Sequence, residues 1–377
     1  MKFNKSIISA VALALVSSFL FFSPSCGENE AKLFQILKSK NEKIGFIAIG
    51  DAGVHKDTQL RVASAVGSWC ARTDKQCDFG LYLGDNFYES GLPDDQVEAE
   101  SLWLERFALP YAHLTFPFYV AMGNHDYSFH GRGRPDWQKV ENYQRFHNKS
   151  APSDRFSGKW QFPSAFYNFS AGNAMFMALD TQQLLYGRNV DLQQKLFESS
   201  YEAALDQGLR FRVMFGHHPI YSNGSHGNAG DYGYGTALGK IKEQKDGSYI
   251  KRFYQSKSFG EQSLCQHVDL FISGHDHNLQ LINRKQEQCP GLYIVSGVGG
   301  KVSKLYRTAA EEVEAETLWQ KSSLGFSYIE IEGDKISINM VNEQAKDMMQ
   351  VECRLSPKHR EKFSCRALKI SEPAEIY

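Results

Sequence analysis

The sequence predicts a layered α/β fold in which sheets stack face to face with helices on the outside. Three features carry this reading. Apolar runs of strand length recur from Ile44 to Met340, helix-spaced segments separate the early runs, and strands dominate late in the chain. The 377 residues, 42% of them hydrophobic and 23% charged, supply enough apolar material for a sizeable core and exclude a disordered chain. Lys+Arg of 42 against Asp+Glu of 43 leaves a net charge of −1, so no nucleic-acid binding is expected.

Taken in order, the first element is an export signal. Lys2 and Lys5 precede an apolar run from Ile7 to Phe22, which ends in Ser23-Pro24-Ser25-Cys26. The run is short for a membrane span. Small residues before a lone cysteine resemble a bacterial lipoprotein cleavage site, which makes Cys26 a lipid anchor at a periplasmic or cell-surface location. The alternative is plain secretion with cleavage near Ser25. Residues 1–26 are thus read as signal, 27–42 as a charged tether or short helix, 43–350 as the main globular domain and 351–377 as a C-terminal extension.

Strands are expected at Ile44–Ile49, Phe79–Leu83, Phe116–Met122, Ala174–Leu179, Phe211–Phe215, Val268–Ser273, Leu292–Ser296, Phe326–Ile331 and Lys335–Met340. Leu60, Ala63, Val66 and Cys70 recur at helical spacing after Asp57-Thr58, an amino-terminal cap signal. Further helices are expected over Val97–Phe107 and Leu192–Leu205. Residues 127–160 are polar and aperiodic and read as a long loop, with a short helix around Val140–Phe146. Setting Cys26 aside, an even number of cysteines remains, which favours disulfides over structural zinc because no C-x-x-C spacing occurs. Short loops cost least to close, so Cys70–Cys77, Cys265–Cys289 and Cys353–Cys365 are the expected pairs.

The ends of the strands are the informative places. Apolar runs deliver Gly50-Asp51, Gly84-Asp85-Asn86-Phe87-Tyr88, Gly123-Asn124-His125-Asp126, Gly216-His217-His218 and Gly274-His275-Asp276-His277. Glycine lets the chain turn at the sheet edge, and open α/β sheets bind ligands at that edge. A single Gly-Asp is an ordinary turn. Repetition after successive buried runs is not, because a core gains nothing from Asp, Asn and His at every strand end. Carboxylates, an amide and imidazoles form a mixed oxygen and nitrogen ligand set suited to Zn, Mn or Fe.

In this order the motifs resemble the calcineurin-like metallophosphoesterases, and Tyr88 narrows the likeness to the purple acid phosphatases, especially the small tartrate-resistant type. The resemblance covers roughly Ile44 to Met340 and includes Trp160-Gln161-Phe162-Pro163-Ser164-Ala165-Phe166-Tyr167, Leu179-Asp180-Thr181, His226-Gly227 and Ser296-Gly297. Departures are the lengthened loop from Ser128 to Gly158, Ala52 where that type often has Trp, and the tail after Val351. The resemblance implies a four-layer αββα sandwich of two mixed sheets flanked by helices, and a binuclear metal centre of Fe(III) with Fe(II), Zn or Mn. It implies that Asp51, Asp85, Tyr88 and His277 hold one metal and Asp85, Asn124, His217 and His275 the other, with Asp85 as the bridge. It implies a hydroxide made available by the metals as nucleophile, with His125 and His226 binding phosphate oxygens and protonating the leaving alcohol. His218 receives no role beyond packing or support.

The expected function is therefore an exported dimetal acid phosphatase acting on small phosphomonoesters or phosphorylated proteins. Alternatives are a phosphodiesterase or nucleotide pyrophosphatase of the same fold, or a silent metal-binding scaffold.

Overall fold

In the computed structural model, which describes residues 34–35, 42–54, 56–131, 134–147, 158–230, 247–258, 262–285, 289–305, 315–356 and 362–375, parallel pairing brings the early apolar runs side by side. Sheet B is 8-stranded, with β16 (Phe363–Ile370), β15 (Asp347–Leu355), β14 (Lys335–Asn342), β13 (Gly325–Glu332), β2 (Ile44–Ile49), β3 (Phe79–Leu83), β4 (Phe118–Ala121) and β5 (Trp160–Gln161) in spatial order. Sheet A is also 8-stranded: β1 (Phe34–Gln35), β6 (Tyr167–Ala171), β7 (Ala174–Ala178), β8 (Phe211–Phe215), β9 (Leu270–Ser273), β11 (Gly291–Ser296), β10 (Leu279–Arg284) and β12 (Ala315–Lys321). The helices are α1 (Asp57–Cys70), α2 (Gln96–Trp103), α3 (Asn124–Tyr127), α4 (Lys139–Gln144), α5 (Thr181–Leu185), α6 (Val190–Asp206) and α7 (Ser248–Tyr254).

Both sheets are mixed, as expected. β2, β3 and β4 run parallel, as do β7, β8 and β9, while the later strands of each sheet pair antiparallel. Parallel neighbours need crossovers, here containing α1, α2 and the pair α5 and α6, so their carboxyl ends share one edge. Register keeps those ends level: Ile49 lies beside Tyr82, Leu83 beside Ala121 and Phe215 beside Ile272.

Side-chain alternation explains the layers. On β7, Ala174, Phe176 and Ala178 join the core between the sheets, whereas Met175 and Met177 join a second core under α5, α6 and α7. Between the sheets Phe79 meets Phe169 and Phe176 edge-on, with centroids 5.8 and 5.3 Å apart. On the far side of sheet B, Trp69 of α1 packs against Phe326 and Tyr328. That contact rotates α1 away from the expected stripe: Val62, Val66 and Trp69 turn inward, and Leu60 is 49% exposed. The helix starts without a side-chain cap; Asp57 lies in its first turn, and Thr58 Oγ1 donates to the carbonyl of Gly300 instead.

The helix expected over Val97–Phe107 is α2 continued by a π-helical turn at Leu104–Ala108, capped by Asp95, which accepts from the Glu98 amide. The three expected disulfides, Cys70–Cys77, Cys265–Cys289 and Cys353–Cys365, are formed. Strands β1, β5, β6, β10, β12, β15 and β16 were not expected, and β1 falls within the stretch read as a charged tether or short helix. The signal segment with Cys26 lies outside the described residues, as do parts of the 128–158 loop. Among the described residues no helix is long and apolar enough to cross a membrane.

Candidate metal centre

Asp51, Asp85 and Asn124 follow β2, β3 and β4 of sheet B, and His217, His275 and His277 follow β8 and β9 of sheet A. The glycines before them leave room for donors arriving from neighbouring loops. A Cβ on Gly123 would meet Asp85 Oδ1 at 2.3 Å, one on Gly84 would meet His217 Nδ1 at 2.7 Å, and one on Gly274 would meet Asp51 Oδ2 at 2.6 Å. Asp51, Asp85 and His275 themselves take left-handed backbone, with φ of 58°, 52° and 68°. Such backbone costs a non-glycine residue roughly 1–3 kcal/mol, and it is concentrated here, at the seam between the sheets.

Two clusters of donor atoms form, and Asp85 belongs to both. In one, Tyr88 Oη lies 2.9 Å from Asp51 Oδ1, 3.0 Å from Asp85 Oδ2 and 3.3 Å from His277 Nε2. A phenol has one proton for these three contacts. In the other, His217 Nε2 lies 2.9 Å from Asn124 Oδ1, 3.1 Å from His275 Nδ1 and 3.4 Å from Asp85 Oδ1. His217 Nδ1 is 2.9 Å from the Leu83 carbonyl, which only accepts, so in the neutral ring Nε2 presents its lone pair to the cluster. Asp51, Asp85, His217 and His275 are buried. Both clusters hold more lone pairs than protons, and this is the donor pattern that a cation satisfies. Ligand atoms of Asp51, Asp85 and His217 lie within 4.8 Å of one another, as do those of His217, His218 and His275.

The electrostatics of these groups follow from burial. Burial raises the Asp51 carboxyl, but the His277 hydrogen bond and the charges of His217 and His277 outweigh it and hold Asp51 below its usual range. Burial, reinforced by the charges of Asp51 and Asp85, pushes the Tyr88 phenol well above its usual value. Burial and the neighbouring imidazoles push His275 well below its own, which keeps it neutral. A bound cation reverses such logic for an oxygen donor.

His125 and His226 stand around these clusters. The His125 amide donates to Asp85 Oδ1 at 2.9 Å, and its Nδ1 lies 3.0 Å from the Glu89 carbonyl. The His226 ring lies over His275 with centroids 3.9 Å apart, and its Nδ1 is 2.7 Å from Asp276 Oδ1. All the residues singled out in the sequence therefore meet at one place. His218 sits behind them with Nδ1 2.8 Å from Thr181 Oγ1, buried and held neutral by that burial.

Two supporting carboxylates were missed, although both stand inside the strand-end motifs. Asp276 accepts from Ser222 Oγ, Ser225 Oγ and the His226 amide as well as facing the His226 ring. Asp126 accepts from the amides of Asn86 and Gly123, from Asn86 Nδ2 and from the Tyr143 hydroxyl of α4. It ties the Asp85 loop to the Asn124 loop and ties both to the helix within the long loop. Burial, then the Asp85 charge, raises it to about 7. The available signal was an acidic residue directly after His125 and another between His275 and His277.

Comparison with known proteins agrees with this geometry. The chain is 25% identical over 312 residues to purple acid phosphatase 4 of Arabidopsis thaliana, covering 81% of this chain and 82% of that protein. It is 24% identical over 335 residues to tartrate-resistant acid phosphatase type 5 of Homo sapiens, covering 81% and 89%. Among solved structures, the fold resembles GAP50, titled the anchor in the inner membrane complex of Plasmodium, with a TM-score of 0.55, 18% identity and coverage of 88% and 90%. It also resembles PhoD, with a TM-score of 0.52, 13% identity and coverage of 88% and 72%. A family model described as calcineurin-like phosphoesterase matches residues 44–279, more than half of the chain and every donor loop from Asp51 to His277. On that match, the chain belongs to the calcineurin-like phosphoesterase family.

Proposed function

We propose that this chain is an exported acid phosphatase that hydrolyses phosphomonoesters at a binuclear metal centre. The observation that carries the reading is the double placement of Asp85, with Oδ2 in the Tyr88 cluster and Oδ1 in the His217 cluster. Asp51, Asp85, Tyr88 and His277 would hold one metal, with the phenolate favouring Fe(III). Asp85, Asn124, His217 and His275 would hold a divalent Fe, Zn or Mn. When bound, the pair supplies Lewis acidity toward the phosphate and lowers the pKa of water enough to provide a nucleophile below neutral pH.

The chain's own groups do the rest. His125 and His226 bind phosphate oxygens. Asp276 accepts from His226 Nδ1 and supports the ring as an imidazolium, whose second proton, on Nε2, goes to the departing alcohol and leaves the neutral ring with its proton on Nδ1. Asp126 keeps the two sheet B loops in register while this happens.

Export rests on the signal pattern of Met1–Cys26 and fits the three disulfides, which belong to oxidising compartments. With Cys26 as lipid anchor, Cys26→Ser is expected to move the protein from membranes to the soluble fraction; a wild type wholly soluble after export rejects the anchor.

The function is tested on purified protein by comparing an aryl phosphomonoester with the matching diester while metal content and visible absorption are measured. Two metals per chain, iron with a broad visible band from the phenolate, and faster monoester turnover are expected. A metal-loaded protein that prefers the diester, or turns over neither ester, overturns the reading.

A further inference from the structure

Lys301 belongs to no motif considered so far, yet it stands over a donor. Its Nζ lies 3.3 Å from the centroid of the Tyr88 ring. The residue is half-buried, and among the described residues its ammonium forms no salt bridge. The nearby Glu89 feels its charge, but that carboxylate faces His130 at 3.1 Å and His125 at 3.6 Å.

The segment carrying Lys301 is fixed on both sides by the donor loops. The Gly299 amide donates to the Gly50 carbonyl at 3.0 Å, and the Ser303 amide donates to the His277 carbonyl at 2.7 Å. Thr58 Oγ1 donates to the Gly300 carbonyl at 2.7 Å. Lys301 therefore rides on backbone anchored one residue after β2 and at a histidine of the Tyr88 cluster. Its ammonium is held by the aromatic face, and such a face holds a cation without neutralising it. A full positive charge kept in place beside an anion-processing centre has an electrostatic use: it favours the more highly charged ligand.

We propose that Lys301 is an anion-binding residue of this centre that selects dianionic phosphate monoesters over monoanionic diesters. This rests on the phosphatase reading above and specifies its substrate class. Lys301 makes a charge-assisted contact to a phosphate oxygen that a diester has replaced by an alkoxy group, while Tyr88 positions the lysine. No bond is made or broken by Lys301, so its loss falls on binding more than on the chemical step.

The test uses the metal-loaded protein with Lys301→Met, which keeps an apolar stem on the ring, and Lys301→Arg, which keeps the charge. Inorganic phosphate is the binding probe, titrated calorimetrically, with metal content measured on every variant. In Lys301→Met the Kd for phosphate is expected to rise about tenfold, the size of one charge-assisted contact. KM for an aryl phosphomonoester should rise with it, more than kcat falls, while the aryl methyl diester changes by no more than about twofold. Lys301→Arg should restore phosphate affinity. Unchanged phosphate affinity in a metal-replete Lys301→Met protein overturns the proposal, as do equal losses for monoester and diester. Active wild type with unchanged phosphate binding in Lys301→Met would remove the lysine's role and leave the phosphatase reading standing. Wild type inactive on all esters, with phosphate binding still weakened by Lys301→Met, would do the reverse.

Discussion

The loops of sheet B carry Asp51, Asp85, Tyr88 and Asn124, which offer oxygen, whereas those of sheet A carry His217, His275 and His277, which offer nitrogen. Each donor cluster mixes the two. Sheet B alone would present a crowd of oxygens with two carboxylates, and sheet A alone a stack of imidazoles whose charges oppose one another. The docked pair balances them, so the centre belongs to the seam and not to either sheet. Backbone contacts say the same: the Gly50 amide donates to the Ser296 carbonyl at 2.8 Å, and the His275 amide donates to Asp51 Oδ2 at 2.8 Å.

The most damaging way to break this balance is at the shared oxygen donor. Asp85→Ala removes a group from both clusters and should empty both metal positions. Turnover should fall by more than the roughly 10–100-fold that losing a supporting partner costs. Two metals per chain by elemental analysis, with near wild-type turnover, would reject Asp85 as the bridge.

On the sheet A side, His226→Ala should leave metal content intact and slow alkyl phosphates by about 10²–10⁴-fold, the range of general acid catalysis. Activated aryl phosphates, whose leaving groups need no proton, should lose far less. Equal losses across a leaving-group series would move the proton donor to His125.

Between the sheets, Gly274→Ala pushes a methyl from sheet A toward Asp51 Oδ2 at 2.6 Å and the Leu83 carbonyl at 3.1 Å. Overpacking of this kind costs about 1–3 kcal/mol, read by denaturant melts, and metal affinity should weaken with it. Wild-type affinity would mean that Asp51 is not confined by the opposite sheet.

The narrowest effect, confined to one pH window, concerns Asp180, which follows β7 in sheet A and caps α5. Unlike Asp51, it is pushed up to about 6 by burial, against hydrogen bonds from Tyr127 and Gln183. The unfolded carboxyl ionises near 3.8 and the folded one near 6, so the folded state holds the extra proton between these values. Wild-type stability should therefore fall relative to Asp180→Asn as pH rises from about 4 to about 6, by roughly 2–3 kcal/mol, then run parallel above. A difference that is flat with pH would show that Asp180 ionises normally.

Much of this centre was readable from residues alone because the donors follow buried strands through glycine, and buried parallel strands are continuous apolar runs. β2, β3 and β4 are of that kind. β10 was not, since Leu279–Arg284 buries Gln280, Asn283 and Arg284 along with its leucines, and only tertiary partners such as the Asn223 amide on Gln280 Oε1 make that tolerable. β15 hid for another reason. Met348 and Met349 are both buried, and a register shift at Gln350 and Val351 interrupts the alternation that marks a strand. The rotation of α1 was equally out of reach, because Trp69 chooses its face by meeting Phe326 and Tyr328, more than 250 residues away in sequence.

The left-handed backbone at Asp51, Asp85 and His275 bears on how the protein is assembled. These residues are spread from the beginning of the domain to beyond its middle, and none of their conformations is favoured locally. Their side chains meet the imidazoles only when the two sheets have closed on each other, so a half-folded chain lacks the mixed donor clusters. With the proposed metals, capture would then act as a final check on folding: ions would bind the finished molecule and add to its stability by mass action. Chelators should accordingly loosen the strand ends at the seam, seen as faster amide exchange there, before either sheet unravels.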